Sequence, residues 1–223
     1  MIEMLRFMFF QACLLPLITN GATAQGIWLG ADLSYVNELE DFGAVYRDNG
    51  NKRDVYELFA EKGANIARLR LWHTPDWTSY STLKDVKRSI RRARNAGMAI
   101  LLDFHYSDDW ADPGDQIVPK AWEGLDENEL TKAVYQYSCR VLQELDDEGL
   151  MPEIVQVGNE INTEILLPEK VSENKTIDWA RNAKLINAGI RAVREVGRTS
   201  KVTPKVMLHI AQPENVRPWI KDA

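Results

Sequence analysis

Cysteine is scarce in this sequence: there are two in 223 residues. Cys13 lies in the amino-terminal apolar stretch, so only Cys139 remains for the folded part and no internal disulfide can form there. Cys139 falls at a helical-core spacing and reads as a packing residue. No His-x-x-His or cysteine pair offers a zinc site. A glycine-rich phosphate loop ending in Lys-Ser/Thr is absent, and so is a Gly-x-Ser-x-Gly nucleophile elbow. Nucleotide and serine-hydrolase chemistries therefore have no support. Basic residues are outnumbered, 27 against 33 acidic, for a net charge of −6. That balance disfavours a nucleic acid or an anionic membrane as partner.

Long apolar runs are also lacking beyond the amino terminus. There, Arg6 precedes an apolar run from Phe7 to Ile18, with small residues at Ala22 and Ala24. The pattern predicts a secretory signal peptide over 1–24, and hence a secreted product, extracellular or periplasmic. Pro16 and the short run argue against a membrane anchor.

From residue 25 onward the chain alternates short apolar runs with longer amphipathic ones, without linker or repeat, and reads as one α/β domain over 25–223. Strands are expected at 27–34, 66–72, 99–105, 153–160 and 205–211. Leu130, Val134, Tyr137, Val141 and Leu145 recur at helical spacing, with Asp126 and Glu129 as a capping box and Gly149 as the stop. Shorter helices are expected before Gly63 and Gly97, and one from Trp179 to Val193 before Gly197.

Five strand–helix units in series fit either a (β/α)₈ TIM barrel or a doubly wound sheet. A period of two gives each strand one uniformly apolar face, including Ile27, Leu29, Leu69, Leu102 and Val155. The other face carries Asp32, Arg68, Arg70, Asp103, His105, Gln156, Glu160 and His209, gathered towards the carboxyl ends. Helices on both sides would bury those charges at high cost, whereas a barrel turns them inward to its catalytic end. The 199 residues left after 1–24 fall short of the ~250 of a typical barrel. The expectation is a barrel truncated after about five β/α units.

Glu160 closes the fourth strand on the inward face, where partial burial raises a carboxyl pKa and suits a general acid; a strand-end glutamate paired with an arginine is the plain alternative. Asn159 points outward by strict alternation and reaches the site only through a bulge. Arg68 and Arg70 need carboxylate partners, for which Asp32 and Asp103 are available, or Arg70 orients a catalytic carboxylate. His105 either donates to a sugar hydroxyl, holds a carboxylate or is a satisfied core histidine, and His209 is read likewise. Trp110 and Trp122 lie in a loop and offer indole faces for stacking on sugar rings, while Trp28 and Trp72 are expected near the barrel mouth. Glu214 falls at a helix start, where acidic residues meet the helix dipole.

Four stretches, "GADLSYV", "GANIARLRLW", "LLDFHYSDDWADPGDQIVPKAW" and "VQVGNEIN", closely resemble glycoside hydrolase family 53, the arabinogalactan endo-β-1,4-galactanases, from about Gly26 onward. The resemblance implies a (β/α)₈ barrel that cleaves β-1,4-galactosidic bonds within galactan or arabinogalactan by a retaining double displacement. Glu160 would be the acid/base and Asn159 would bind the sugar hydroxyl beside the scissile bond. Arg70, His105 and Trp110 would line the site, with Asp103 as support. It implies no organic cofactor, and leaves room for a structural calcium in the C-terminal part. The nucleophile would be a glutamate on a seventh strand, beyond Ala223, so this chain alone is expected to be inactive. Two other readings stand beside it: a relative of the same barrel clan acting on another β-1,4-glycan, and a short non-catalytic product that binds galactan through Trp110 and Trp122.

Overall fold

Helix starts and stops fall where small polar side chains and glycines dictate. In the computed structural model, which describes residues 27–170 and 176–223, Asp54, Thr82, Asp126 and Asp178 each accept a backbone N–H at a helix start. The signal peptide expected over 1–24 lies outside the described residues. In chain order the elements are β1 (Gly30–Asp32), α1 (Val36–Asp41), β2 (Arg47–Asp48), β3 (Asn51–Lys52), α2 (Val55–Glu61), β4 (Ile66–Leu71), α3 (Leu83–Asn95), β5 (Ala99–Phe104), α4 (Glu127–Asp147), β6 (Ile154–Val157), α5 (Trp179–Gly197), β7 (Lys205–Met207) and α6 (Pro213–Asp222). The Asp126–Glu129 capping box forms as expected. Gly63, Gly97 and Gly149 take the left-handed backbone that ends α2, α3 and α4. Glu214 lies in the first turn of α6.

β1, β4, β5, β6 and β7 form one parallel sheet in that order. A doubly wound sheet reverses direction at its switch point; here spatial order follows chain order throughout, which is the winding of a (β/α)₈ barrel. The described residues supply five β/α units of it. β2 and β3 form a separate hairpin between α1 and α2. Its turn, Asn49-Gly50, has both residues at positive φ, but its strands are short and largely exposed, so no hydrophobic pattern announces it.

Alternation along the central strands is as expected. Leu69 and Leu71 of β4, Ile100, Leu102 and Phe104 of β5, and Val155 and Val157 of β6 are buried in one cluster with Ile90 of α3, Val134 and Val141 of α4, and Leu185 and Val193 of α5. Each such side chain contributes roughly 1.5–3 kcal/mol on burial. Partly buried Cys139 packs against this cluster.

Three expectations are corrected. Ile27 and Leu29 are not in the core: β1 starts only at Gly30, and Ile27 is 86% exposed at this outer edge of the sheet, where no helix among the described residues covers it. Trp28 is not at the mouth; with Ile66, Leu101 and Ile154 it lines a cavity of about 350 Å³ towards the amino ends of the strands. Gly197 is not a stop. It is the last residue of α5 and has no left-handed backbone; the helix is capped at Arg198, and a Cβ at Gly197 would meet Pro204 at 2.8 Å.

Gly189, midway along α5, faces β6. A Cβ there would lie 2.6 Å from Val157 Cγ1 and 2.7 Å from the Tyr106 hydroxyl. Helix propensity alone favours alanine by ~1 kcal/mol, but overpacking costs about 1–3 kcal/mol. Gly189→Ala should therefore lower the urea unfolding midpoint; an unchanged or raised midpoint would mean that α5 can move off the sheet.

Candidate active site

The inward faces of β4, β5 and β6 converge on one guanidinium. Arg68 pairs with Asp32 through Nη1, donates from Nη2 to Asp103 Oδ2 at 2.7 Å and to Asn159 Oδ1 at 2.8 Å, and from Nε to Gln156 Oε1 at 3.2 Å. The Asp103 carboxylate is fully buried and also accepts Gln156 Nε2 at 2.6 Å. Burial works against ionising Asp32, yet hydrogen bonds from Ser34 and the pairing with Arg68 hold its carboxyl below the usual range. A fork of planar donors can satisfy this many acceptors at once; an ammonium cannot.

Beyond β6 the chain leaves strand geometry. Gly158 takes φ +81°, and a Cβ there would meet Ile161 Cγ2 at 2.6 Å, so only glycine fits. This break, rather than a bulge within the strand, turns Asn159 inward, against strict alternation. Its Oδ1 accepts from Arg68 and lies 2.8 Å from His209 Nδ1, while its Nδ2 donates to Ala111 O at 2.8 Å. Of the two amide N–H groups one is thus engaged, and the other has no protein partner among the described residues. Burial, followed by the nearby Arg68 charge, pulls the His209 imidazole below its ordinary pKa, and its Nδ1 also faces the Glu160 N–H at 3.4 Å.

Glu160 comes next with φ +47°, a left-handed conformation that costs a non-glycine residue about 1–3 kcal/mol. Its surroundings hold it there. Gln116 Nε2 donates to Asn159 O at 2.8 Å and to Glu160 O at 3.3 Å, Ile161 N donates to His209 O at 2.9 Å, and Trp219 Nε1 donates to Ile161 O at 2.7 Å. The Glu160 carboxylate is partly buried and, among the described residues, makes no hydrogen bond or ion pair. The arginine pairing considered as its plain alternative is not formed among the described residues.

Arg70 has a different place from the one expected. It pairs with no carboxylate among the described residues; its Nε and Nη2 donate to Ser81 Oγ at 3.2 and 3.0 Å. Its guanidinium lies 4.2 Å from the Trp72 ring centroid, 4.3 Å from that of Trp110 and 4.6 Å from that of Tyr35. The carboxylates are the partners of Arg68, one pleat lower. Trp72 sits at the mouth as expected, but buried.

His105 is buried beside Asp103, with Nδ1 accepting Ala111 N–H at 3.3 Å. Its Nε2 is 2.9 Å from Asp103 Oδ2, though not aligned for a good hydrogen bond. Trp110 is 45% exposed, its ring 5.7 Å from that of His105. Trp122 is a further correction: only 8% exposed, it is packed against His73 and Tyr137 and offers no face to a sugar. Burial also lowers the His73 pKa, to about 4, against the opposing Asp108.

The site thus brings together Asp103, His105, Trp110, Asn159, Glu160 and His209, puts Arg70 behind the aromatic wall and leaves Trp122 in the core. Gln116 and Gln156 do as much positioning as any of them and were not expected. Gln156 is on the inward face by simple alternation; Gln116 acts across more than forty residues, which no local pattern reveals. Among the described residues, no three His, Cys, Asp or Glu side chains gather as metal ligands.

Comparison with known proteins matches the model for glycosyl hydrolase family 53 to residues 28–223. The chain is 51% identical over 215 residues to an arabinogalactan endo-β-1,4-galactanase of Cellvibrio japonicus, covering 95% of this chain and 57% of that protein. It is 36% identical over 193 residues to an endo-β-1,4-galactanase of Bacillus subtilis, covering 83% and 42%. Among solved structures, the family 53 catalytic domain of Ignisphaera aggregans superposes with a TM-score of 0.76 at 32% identity, over 87% of this chain and 55% of that one. The chain spans about half the length of the curated relatives it matches.

Removing the Arg68 cation strands a buried carboxylate. In the complete gene product Arg68→Met should cost about 3 kcal/mol of unfolding free energy. Asp103→Asn added to it should restore part of that loss, because the unpaired charge disappears. Simple additivity of the two losses in urea denaturation would show that the pair is not coupled.

Proposed function

Because the chain belongs to glycosyl hydrolase family 53, whose model spans it from residue 28 onward, we propose that it carries the proton-donor half of a secreted hydrolase acting on internal β-1,4-galactosidic bonds of galactan or arabinogalactan. The observation that carries this reading is the Glu160 carboxyl, partly buried at the rim of the barrel interior and without a hydrogen bond or ion pair among the described residues. A catalytic acid must be left unspent by its own protein so that it can reach the substrate, and the strained backbone at Glu160 aims it.

In a retaining double displacement the protonated Glu160 gives its proton to the glycosidic oxygen as the bond to the anomeric carbon breaks. A second carboxylate attacks that carbon from the opposite face, and Glu160 then takes a proton from the water that releases the sugar. The two carboxyl groups must be about 5–5.5 Å apart. Asp103 and Asp32 are poor candidates for the attacking group, since both are tied to Arg68. The family resemblance assigns that role to a glutamate on the seventh strand, beyond the five β/α units described. The second amide N–H of Asn159, without a partner among the described residues, would hold a sugar hydroxyl next to the scissile bond, a role supported by its other polar atoms being engaged by Arg68, His209 and Ala111. The stretch 1–24 supports export of the product, where a polymeric substrate would be met.

In the complete gene product, Glu160→Gln should lower the rate of galactan cleavage about a hundredfold to ten-thousandfold, with little change in thermal stability, because the side chain makes no contact that holds the fold. Reducing ends released from galactan at the unmutated rate would remove Glu160 from the mechanism.

A further inference from the structure

Trp77 is an indole that the fold holds out to solvent. It lies in the β4–α3 connection, is 56% exposed, and its Nε1 donates to Asp108 O at 3.1 Å. The connection itself is pinned: Trp72 N donates to Ser81 O at 2.9 Å, His73 N to Ser107 O at 2.8 Å and Thr74 N to Asp108 Oδ1 at 2.7 Å. The connections on either side of it, after β1 and after β5, are both among the described residues, and neither covers the ring. A lone exposed indole needs no explanation, but one that continues a patch of exposed aromatic surface marks a place where something binds.

The ring continues a line of aromatics that starts at the candidate site. Trp110 lies 5.7 Å from His105, Trp72 lies 6.2 Å from Trp110, and Trp77 lies 5.0 Å from Trp72, all between ring centroids. Tyr35, 41% exposed, lies 6.3 Å from Trp110 on the same rim. The planes are tilted to one another by 38° to 79°, so the wall is stepped rather than flat. A long polymer crossing Glu160 needs contacts away from the bond being cut. On galactopyranose the axial O4 leaves the hydrogens of C3, C4 and C5 together as an apolar patch on one face, the shape that an indole accepts.

We propose that Trp77 forms a distal subsite that stacks a galactosyl unit of the bound chain, one step along the aromatic line from Trp110 and remote from the bond that Glu160 protonates. This rests on the galactanase reading. Trp77 then sets the preference for long chains over short ones without touching the reacting atoms.

The test uses the complete gene product and compares KM for galactan with KM for the shortest galacto-oligosaccharide it cleaves. A ring-stacking contact of ordinary strength corresponds to roughly a two- to twelvefold effect. Trp77→Ala should raise KM for galactan several-fold more than KM for the short substrate, and Trp77→Phe, which keeps a ring, should restore most of the difference. Circular dichroism melting of both variants guards against misfolding. Equal KM changes on both substrates, or none, would overturn the subsite while leaving the galactanase reading intact. Failure of the unmutated protein to cleave galactan would overturn both.

Discussion

A buried carboxylate at the centre of a barrel face must be met by a cation, and Arg68 is that cation. Its fork joins β1 through Asp32, β5 through Asp103, β6 through Gln156 and the loop beyond through Asn159. Counting β4 itself and taking β6 with its loop as one, four segments far apart in the chain are thereby tied at one point. Left unpaired, the Asp103 charge would cost several kcal/mol, a large share of an ordinary domain's stability. Asn159, once turned inward by Gly158, is held by this cluster, and Glu160 follows one residue later.

Function is built on what the cluster leaves over. Asp32, Asp103, Gln156 and most of Asn159 spend their polar atoms on one another, so they hold position and do not react. Glu160, carried past them on a left-handed backbone, keeps its carboxyl unspent. The strain there is offset by hydrogen bonds from Gln116 and by the anchoring of Ile161 on His209 and Trp219. A rigid, self-satisfied shell around one free acid is the arrangement that general acid catalysis asks for.

The sequence made some of this legible and hid the rest for physical reasons. The sheet, its apolar face and the capped helices follow from period and punctuation, because burial acts on every second or every third to fourth residue. Glu160 was legible as a strand-end acid, and His209 as an inward side chain. Arg68 and Arg70 were confused because alternation puts both on one face and says nothing of depth: one meets carboxylates, the other aromatic rings and Ser81. Trp110 and Trp122 share a loop in the sequence, yet one is exposed and the other closes the core. Loop residues have no period to betray their burial. Gln116 escaped for the same reason, and Asn159 was misdirected because β6 ends at Val157, three residues before the expected 160.

The central claim is that Glu160 is the acid/base of a retaining glycosidase, and chemical rescue tests it most directly. In the complete gene product carrying Glu160→Ala, azide should accelerate turnover of a galactoside with a good leaving group, because a small anion can attack the glycosyl-enzyme without a general base. The product should be the β-galactosyl azide. No acceleration, or an α-galactosyl azide, would contradict the account, the latter by making Glu160 the nucleophile instead.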